Sequence, residues 1–315
     1  MLDRITGMQI FTRVASSGSL SAAARSLAIS QTLATKHIAA LEQQLDIKLF
    51  LRSTRGLKLT AAGERYLAGV TRVLRDIEAL EEDAAADDAA VRGLLRLNAP
   101  ASFGHRILAP LLAGFSQRYP GLNIDLSLDD KRVDLVEEGW DLVIRIGKLK
   151  SNTLRARRLA PCELVVCAAP SYLERRGVPA TIEELINHNC IGYTLSEHLG
   201  PRRWTFGAQG ERSVPIRATL SINNGDAIVA AALEGYGIIY KPLFMVHQHL
   251  QDGRLVALQL NHPPLGLHDV FAVFQGARKP PEKVRVLIDF LLEQLQAPLP
   301  WISGRPALVS GRWPT

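Results

Sequence analysis

"GSLSAAARSLAISQTLATKHIAALEQQLDIKLFLR", Gly18 to Arg52, carries two short helical patterns with almost nothing between them. Ser19 predicts the cap of a helix over roughly Leu20–Leu27, and Ser30 the cap of a second helix beginning at Gln31. Only Ala28 and Ile29 separate them, so the helices must cross steeply, and the small residues Ala22, Ala23 and Ala24 permit close approach. Such spacing is that of a helix-turn-helix.

Rotation of the second helix at ~100° per residue puts Leu33, Ala34, Ile38, Leu41 and Leu45 on one side. Thr32, Lys36, Ala39 and Gln43 fall opposite, flanked by Gln31 and Thr35. A half-apolar helix is ordinary. What sets this polar face apart is its content: short side chains, amides and one cation, with no carboxylate near its centre. It can meet a base-pair edge without repelling phosphate, the competing reading being a merely solvated surface. The next segment, "KLFLRSTRGLKLT", predicts a hairpin whose tip holds Arg52 and Arg55, suited to gripping phosphate or entering a minor groove. Residues 1–60 contain eight Lys and Arg against three Asp and Glu, so a net +5 of the chain's formal +6 sits there.

Phe11 to Gly63, "FTRVASSGSLSAAARSLAISQTLATKHIAALEQQLDIKLFLRSTRGLKLTAAG", resembles the N-terminal domain of LysR-type transcriptional regulators. That family's recognition-helix run, S-Q-[ST]-x-x-[ST]-[KR]-x-I-x-x-L-E, maps onto Ser30 to Glu42, with Ala34 where valine is more usual. The resemblance implies a winged helix-turn-helix over 1–60. Its DNA-binding set would be Ser30, Gln31, Thr32, Thr35 and Lys36 on the helix, with Arg52 and Arg55 on the wing.

Residues 61 to about 88 read as one long helix, capped by Thr60. Leu67, Val70, Leu74 and Ile77 form a heptad-like seam, which Val73 and Leu80 widen. Such a seam needs a partner, either a second copy of the helix or the chain's own α/β domain. The acidic, alanine-rich "EEDAAADDAAVRG" then reads as a linker, placing a dimerisation helix and hinge at 61–92. By resemblance the helix pairs two subunits over a pseudo-palindromic site in duplex DNA, and the family further implies tetramers.

From Gly93 the pattern alternates: "GLLRLNA" strand, "RILAPLLAGFSQRY" helix, "LNIDLSL" strand, "RVDLVEEG" helix, "WDLVIRIG" strand. This predicts βαβ units and a parallel sheet. "CELVVCA", "TIEELINH", "CIGYT", "DAIVAAALEG", "GIIYKP" and a helix from Pro281 to Leu295 repeat the theme. "VDLVEEGWDLVIRIG", "LAPCELVVCAAPSYL" and "INNGDAIVAAALEGYGIIYKP" are similar to the family's effector-binding domain. The resemblance implies a two-lobed α/β fold like a periplasmic binding protein over 93–300, with a small molecule in the cleft. Lobe one would be 93–161 and 268–300, lobe two 162–267, and the Pro- and Gly-rich 301–315 a surface tail.

Clefts of this kind lie at the carboxyl ends of strands, where helix N-termini offer free N–H groups to anions. Ala101, Ser102 and Phe103 follow the first strand, with Ser102 placed to cap the next helix. Asp129 ends the second strand, and Arg145 and Gly147 the third. In lobe two Thr194 follows a strand, Asn223 and Asn224 precede a helix, and Lys241 follows "GIIY". A carboxylate effector suits this set, although Asp129 and Asp226 favour a ligand that also presents donors.

Other classes find less support. The chain of 315 residues has no G-x-S-x-G elbow, no phosphate-binding G-x-x-x-x-G-K-[ST] loop and no H-E-x-x-H helix, so no enzyme and no cofactor are expected. Its three cysteines make no disulfide framework. Cys162 and Cys167, read within one strand, would point to opposite faces and so cannot converge on a metal. No secretory signal opens the chain, and the most apolar stretch, Ala227–Phe244, is broken by Glu234, Gly235, Gly237 and Lys241. A cytoplasmic protein away from the membrane is expected. A stand-alone solute-binding protein would explain two lobes but not residues 1–88.

Overall fold

The computed structural model describes residues 3–53, 56–84, 91–131, 133–136, 138–147, 149, 154–266, 269–275, 280–295, 299, 301 and 308–309. For 52, 53, 56, 75, 76, 78–80, 82–84 and 308 it describes the backbone only. Two compact units emerge, residues 1–89 with 134–139, and 90–133 with 140–315.

In the first unit α1 (Arg4–Ser17), α2 (Leu20–Ser26) and α3 (Gln31–Leu45) precede a hairpin of β1 (Phe50–Ser53) and β2 (Gly56–Leu59), then α4 (Ala61–Ala84). Ser19 and Ser30 cap α2 and α3, their hydroxyls accepting from Ala22 N and Leu33 N at 3.4 and 3.1 Å. Between those helices Ala28 takes a left-handed φ of 53°. Ile29 N donates to Ala24 O (3.0 Å) and Ala28 N to Arg25 O (3.2 Å). This pair of bonds is a Schellman ending, a place glycine usually fills. Phe11 is fully buried at the centre of the core, its ring 5.2 Å from that of Phe50 and 5.3 Å from that of Tyr66. Removing such a ring costs about 3–5 kcal/mol.

The seam on α4 is divided. Val70 is buried in this core and Leu67 and Leu74 pack against it, so part of the expected interface covers the helix's own domain. Val73 stays 40% exposed, and the Leu80 side chain lies outside the described residues.

The second unit is mixed rather than parallel. β3 (Gly93–Ala99) leads into a continuous helical run: α5 (Ala101–Phe103), a wider π-turn (Gly104–Leu108) and α6 (Ala109–Arg118). β4 (Leu122–Leu128) and β5 (Leu142–Ile146) pair parallel to β3, whereas β6 (Leu154–Pro161) runs antiparallel to a late strand that returns from lobe two. Lobe two holds β7 (Leu164–Ala168), α7 (Pro170–Arg176), a 3-10 turn (Glu183–Asn187), β8 (Asn189–Tyr193), β9 (Arg203–Phe206), β10 (Arg212–Pro215) and β11 (Arg217–Ile222). It continues with α8 (Gly225–Leu233), β12 (Ile239–Pro242), α9 (Leu243–Gln251) and β13 (Val256–Leu258). The returning strand is β14 (Asp269–Gln275), and α10 (Glu282–Leu295) closes lobe one. Sheet order there is β4-β3-β5-β14-β6.

Several expectations are corrected. "RVDLVEEG" forms turns in its described part, where the Asp134 carboxylate accepts Val136 N and Glu138 accepts Asp134 N, both at 2.9 Å. Acidic side chains that capture nearby N–H groups compete with a helix. "TIEELINH" makes only a 3-10 turn. Cys162 lies outside β7, so it and Cys167 share one core cluster instead of opposing faces. The stretch 301–315 is no surface tail where it is described: Trp301 is buried at 7% exposure, and β15 (Leu308–Val309) pairs with β13. No helix among the described residues is long and apolar enough to cross a membrane.

Candidate DNA-binding face and effector cleft

On α3 the buried stripe is Ala34, His37, Ile38, Leu41 and Glu42. Leu33, expected inside, is 37% exposed, and His37 takes the inward place one turn on. Gln31, Thr32, Lys36, Ala39 and Gln43 are exposed and Thr35 half-buried, its hydroxyl donating to Gln31 O at 2.9 Å. The polar face is therefore free in this chain, while Ser30 holds the helix start. Arg52 sits in β1, opposite Leu57, and Arg55 lies outside the described residues.

Glu42 ties that helix to the wing. Its carboxylate accepts Leu49 N (2.8 Å), Phe50 N (3.3 Å) and Lys48 Nζ (2.7 Å). Burial pushes this carboxyl up, but the bonds from Lys48 and the two amides outweigh it and hold the group below the usual range. The family motif marks Glu42 in the sequence, but not its buried, bridging role.

In the second unit the strand ends bring together a charged cluster. Lys241 is 3% exposed, with its Nζ 4.0 Å from the centre of the Tyr193 ring. Burial draws its ammonium down to about 7, against the opposing pull of Asp130 and Asp226. Asp130 accepts Ala101 N at 2.8 Å. Asp226, in the first turn of α8, accepts Ser102 Oγ and Arg106 Nε, each at 2.8 Å, and thereby joins the lobes. The close approach depends on Gly225, where a Cβ would come 2.9 Å from Ser102 Oγ. Burial and the neighbouring Asp130 push the Tyr193 hydroxyl up. On the lobe-one side a cavity of about 130 Å³ is lined by Asn98, Asp129, Asp130 and Arg145, among others. Asn98 Nδ2 is buried without a partner among the described residues.

The remaining expected positions divide. Ser102 caps nothing; Pro100 precedes the helix and the hydroxyl serves Asp226. Phe103 is core, edge-on to Phe244 at 5.6 Å. Asp129 is exposed and accepts Lys131 N (2.9 Å), and together with Asp130 it lines the lobe-one cavity. Arg145 donates to Val133 O at 3.0 Å, and Gly147 N to Asp269 O at 3.0 Å with a φ of 113°. Asn224 caps α8 through Ala227 N (2.9 Å), while Asn223 and Thr194 are exposed. Asp130, Arg106, Tyr193 and Asn98 went unread. Asp130 stands beside Asp129 just past the end of β4 and both line the cavity, but the sequence does not show that Asp130 accepts Ala101 N from the next helix.

A capped helix pair with a wing, and a two-lobed domain with a charged cleft, define a DNA-binding regulator controlled through a ligand domain. Residues 5–64 match the model for bacterial regulatory helix-turn-helix proteins of the lysR family, and 88–296 the model for the LysR substrate binding domain. The chain belongs to the LysR family of transcriptional regulators, which are not enzymes and which bind promoter DNA and small-molecule effectors. It is 31% identical over 289 residues to the transcriptional regulator CrgA of Neisseria meningitidis, covering 91% of this chain and 96% of that one. It is 32% identical over 297 residues to the transcriptional activator AaeR of Escherichia coli, covering 93% and 94%. The solved CrgA structure superposes with a TM-score of 0.59 at 30% identity, over 92% of this chain and 98% of CrgA. The full-length virulence activator AphB of Vibrio cholerae gives 0.59 at 28%, over 91% and 98%. A stand-alone solute binder is set aside by the match over residues 5–64.

Proposed function

We propose that this regulator reads promoter DNA through Gln31, Thr32 and Thr35, with Lys36, Arg52 and Arg55 on the phosphate rail, and that its effector binds beside Lys241. The observation that carries the reading is the cluster of buried Lys241 with Asp130, Asp226 and Arg106 where the lobes meet, two cations against two carboxylates. A buried ammonium carries a desolvation penalty unless it is paired, and its partner Asp130 lines the lobe-one cavity, which suits ligand binding. Because Arg106 is committed to Asp226, Lys241 is a buried cation for an anionic ligand group, with Lys131 and Arg145 on the cavity wall. Asp130 and Asn98 add an acceptor and a donor, so a carboxylate that also carries hydroxyl or amino groups fits better than a simple acid.

Ligand binding would shift the population of lobe arrangements, and subunits paired through α4 would pass this to the spacing of two recognition helices. A dimer, and a tetramer of two dimers, belong to this reading, as does a cytoplasmic location. The test uses the full chain and the DNA upstream of its own gene. A library of hydroxy- and amino-carboxylates is screened for a shift in DNA affinity. The expected result is at least one compound that changes affinity in the wild type and not in Lys241→Met. A compound equally active on both proteins places the effector elsewhere.

A further inference from the structure

Lobe two holds a second pocket, away from the cleft. β8 and β11 pair parallel, Tyr193 opposite Ile222 at the cleft end and Asn189 opposite Arg217 at the other. At ~3.3 Å per residue, the four steps from Tyr193 to Asn189 span roughly 13 Å. Around Asn189 opens a cavity of about 320 Å³ whose lining includes Arg175, Arg176, Arg217 and Tyr236 and contains no carboxylate among the described residues.

Its walls are fixed by a closed set of hydrogen bonds. Asn189 Nδ2 donates to Tyr236 O (2.7 Å), and Thr219 Oγ1 donates to Asn189 Oδ1 (2.6 Å) and lies 3.2 Å from the Tyr236 hydroxyl. Asn189 N donates to the Tyr172 hydroxyl at 2.8 Å. Arg175 is held by Gly235 O at 2.8 Å, a contact that seats the guanidinium rather than neutralising it. Arg176 and Arg217 are exposed, and no carboxylate stands beside them in the described lining of the pocket. Solvated arginines on an ordinary surface alternate with acids; here three converge on one concavity beside a Tyr236 ring that is 42% exposed.

We infer that this pocket is an anion site for a small ligand with two or more negative charges, a phosphate ester or a polycarboxylate. Guanidinium forks match the paired oxygens of both groups, and several forks select for multiple charge. The volume is that of a small-molecule site. It is separate from the cleft at Lys241, so an effector that binds there or fails to do so leaves this assignment unchanged.

Pyrophosphate and tricarballylate, a tricarboxylate without a hydroxyl group, serve as probes, titrated calorimetrically into the full chain at constant ionic strength. At least one is expected to bind once per chain with Kd below about 1 mM, a typical metabolite-range affinity. Arg176→Gln/Arg217→Gln should weaken it at least tenfold while Lys241→Met leaves it unchanged, and the better probe names the ligand class. Arg217→Lys, which keeps the charge and loses the fork, should fall between. Equal binding by the double arginine variant, loss on Lys241→Met instead, or no binding of either probe beyond matched sodium chloride would overturn the assignment.

Discussion

Ala28 holds a left-handed conformation in the two-residue turn on which the helix-turn-helix depends. An L-residue there carries strain of about 1–2 kcal/mol, part of which glycine's larger unfolded-state entropy offsets. Ala28→Gly should therefore raise stability by about 0.5 kcal/mol and Ala28→Val lower it by at least about 1 kcal/mol, read by urea denaturation. A stabilising valine would contradict the turn geometry. Lys241 makes a second residue-scale prediction. Its folded pKa, near 7, lies below the unfolded lysine value, so between pH 7 and about 10 the unfolded chain binds more protons and stability rises with pH. With Asp130 and Asp226 facing it, the wild type should gain about 1 kcal/mol per pH unit over Lys241→Met between pH 7.5 and 9. Parallel stability curves would remove the depressed pKa.

At the scale of elements, α3 and the wing act together because Glu42 closes both onto one carboxylate. Glu42→Ala strands the amides of Leu49 and Phe50, each unmet buried group costing about 1–3 kcal/mol. Loss of about 3 kcal/mol in denaturation is expected, with weaker DNA binding even though Glu42 faces away from the exposed surface. Its depressed pKa adds that this stabilisation is complete above the ordinary carboxylate range and disappears as pH falls through the folded value. Unchanged stability of Glu42→Ala would deny the coupling. The helices whose caps and apolar periods agree, α2, α3 and α8, were legible from the sequence alone. The antiparallel β14 and the late β15 were not, since strand direction depends on where a distant segment returns. Nor was the division of the α4 stripe, because one apolar period serves an own-domain core and a partner equally well.

For the whole molecule, charge and chemistry are partitioned. The N-terminal fifth carries most of the surplus cations, and the two-lobed unit carries a balanced ionic cleft and a basic pocket. The exposed polar positions Gln31, Thr32, Lys36 and Gln43 of α3 were readable one by one, since a surface helix declares its polar face. The cleft was readable only as a set of strand ends: Asp129 and Arg145 line the lobe-one cavity beside Asp130, Lys241 is buried near Asp130 and Asp226, and the Ser102 hydroxyl and the Phe103 ring serve Asp226 and the core.

The central claim is that the carboxylate-free face of α3 enters a DNA groove. The direct measurement is the salt dependence of binding to the upstream promoter fragment, for wild type, Lys36→Ala and Thr35→Ala. Each lost phosphate contact lowers the slope of log affinity against log salt by about 0.9. Lys36→Ala should lower the slope by about that much, and Thr35→Ala should keep the slope while reducing the preference for the promoter over random duplex. Three indistinguishable slopes with three equal preferences would contradict the account.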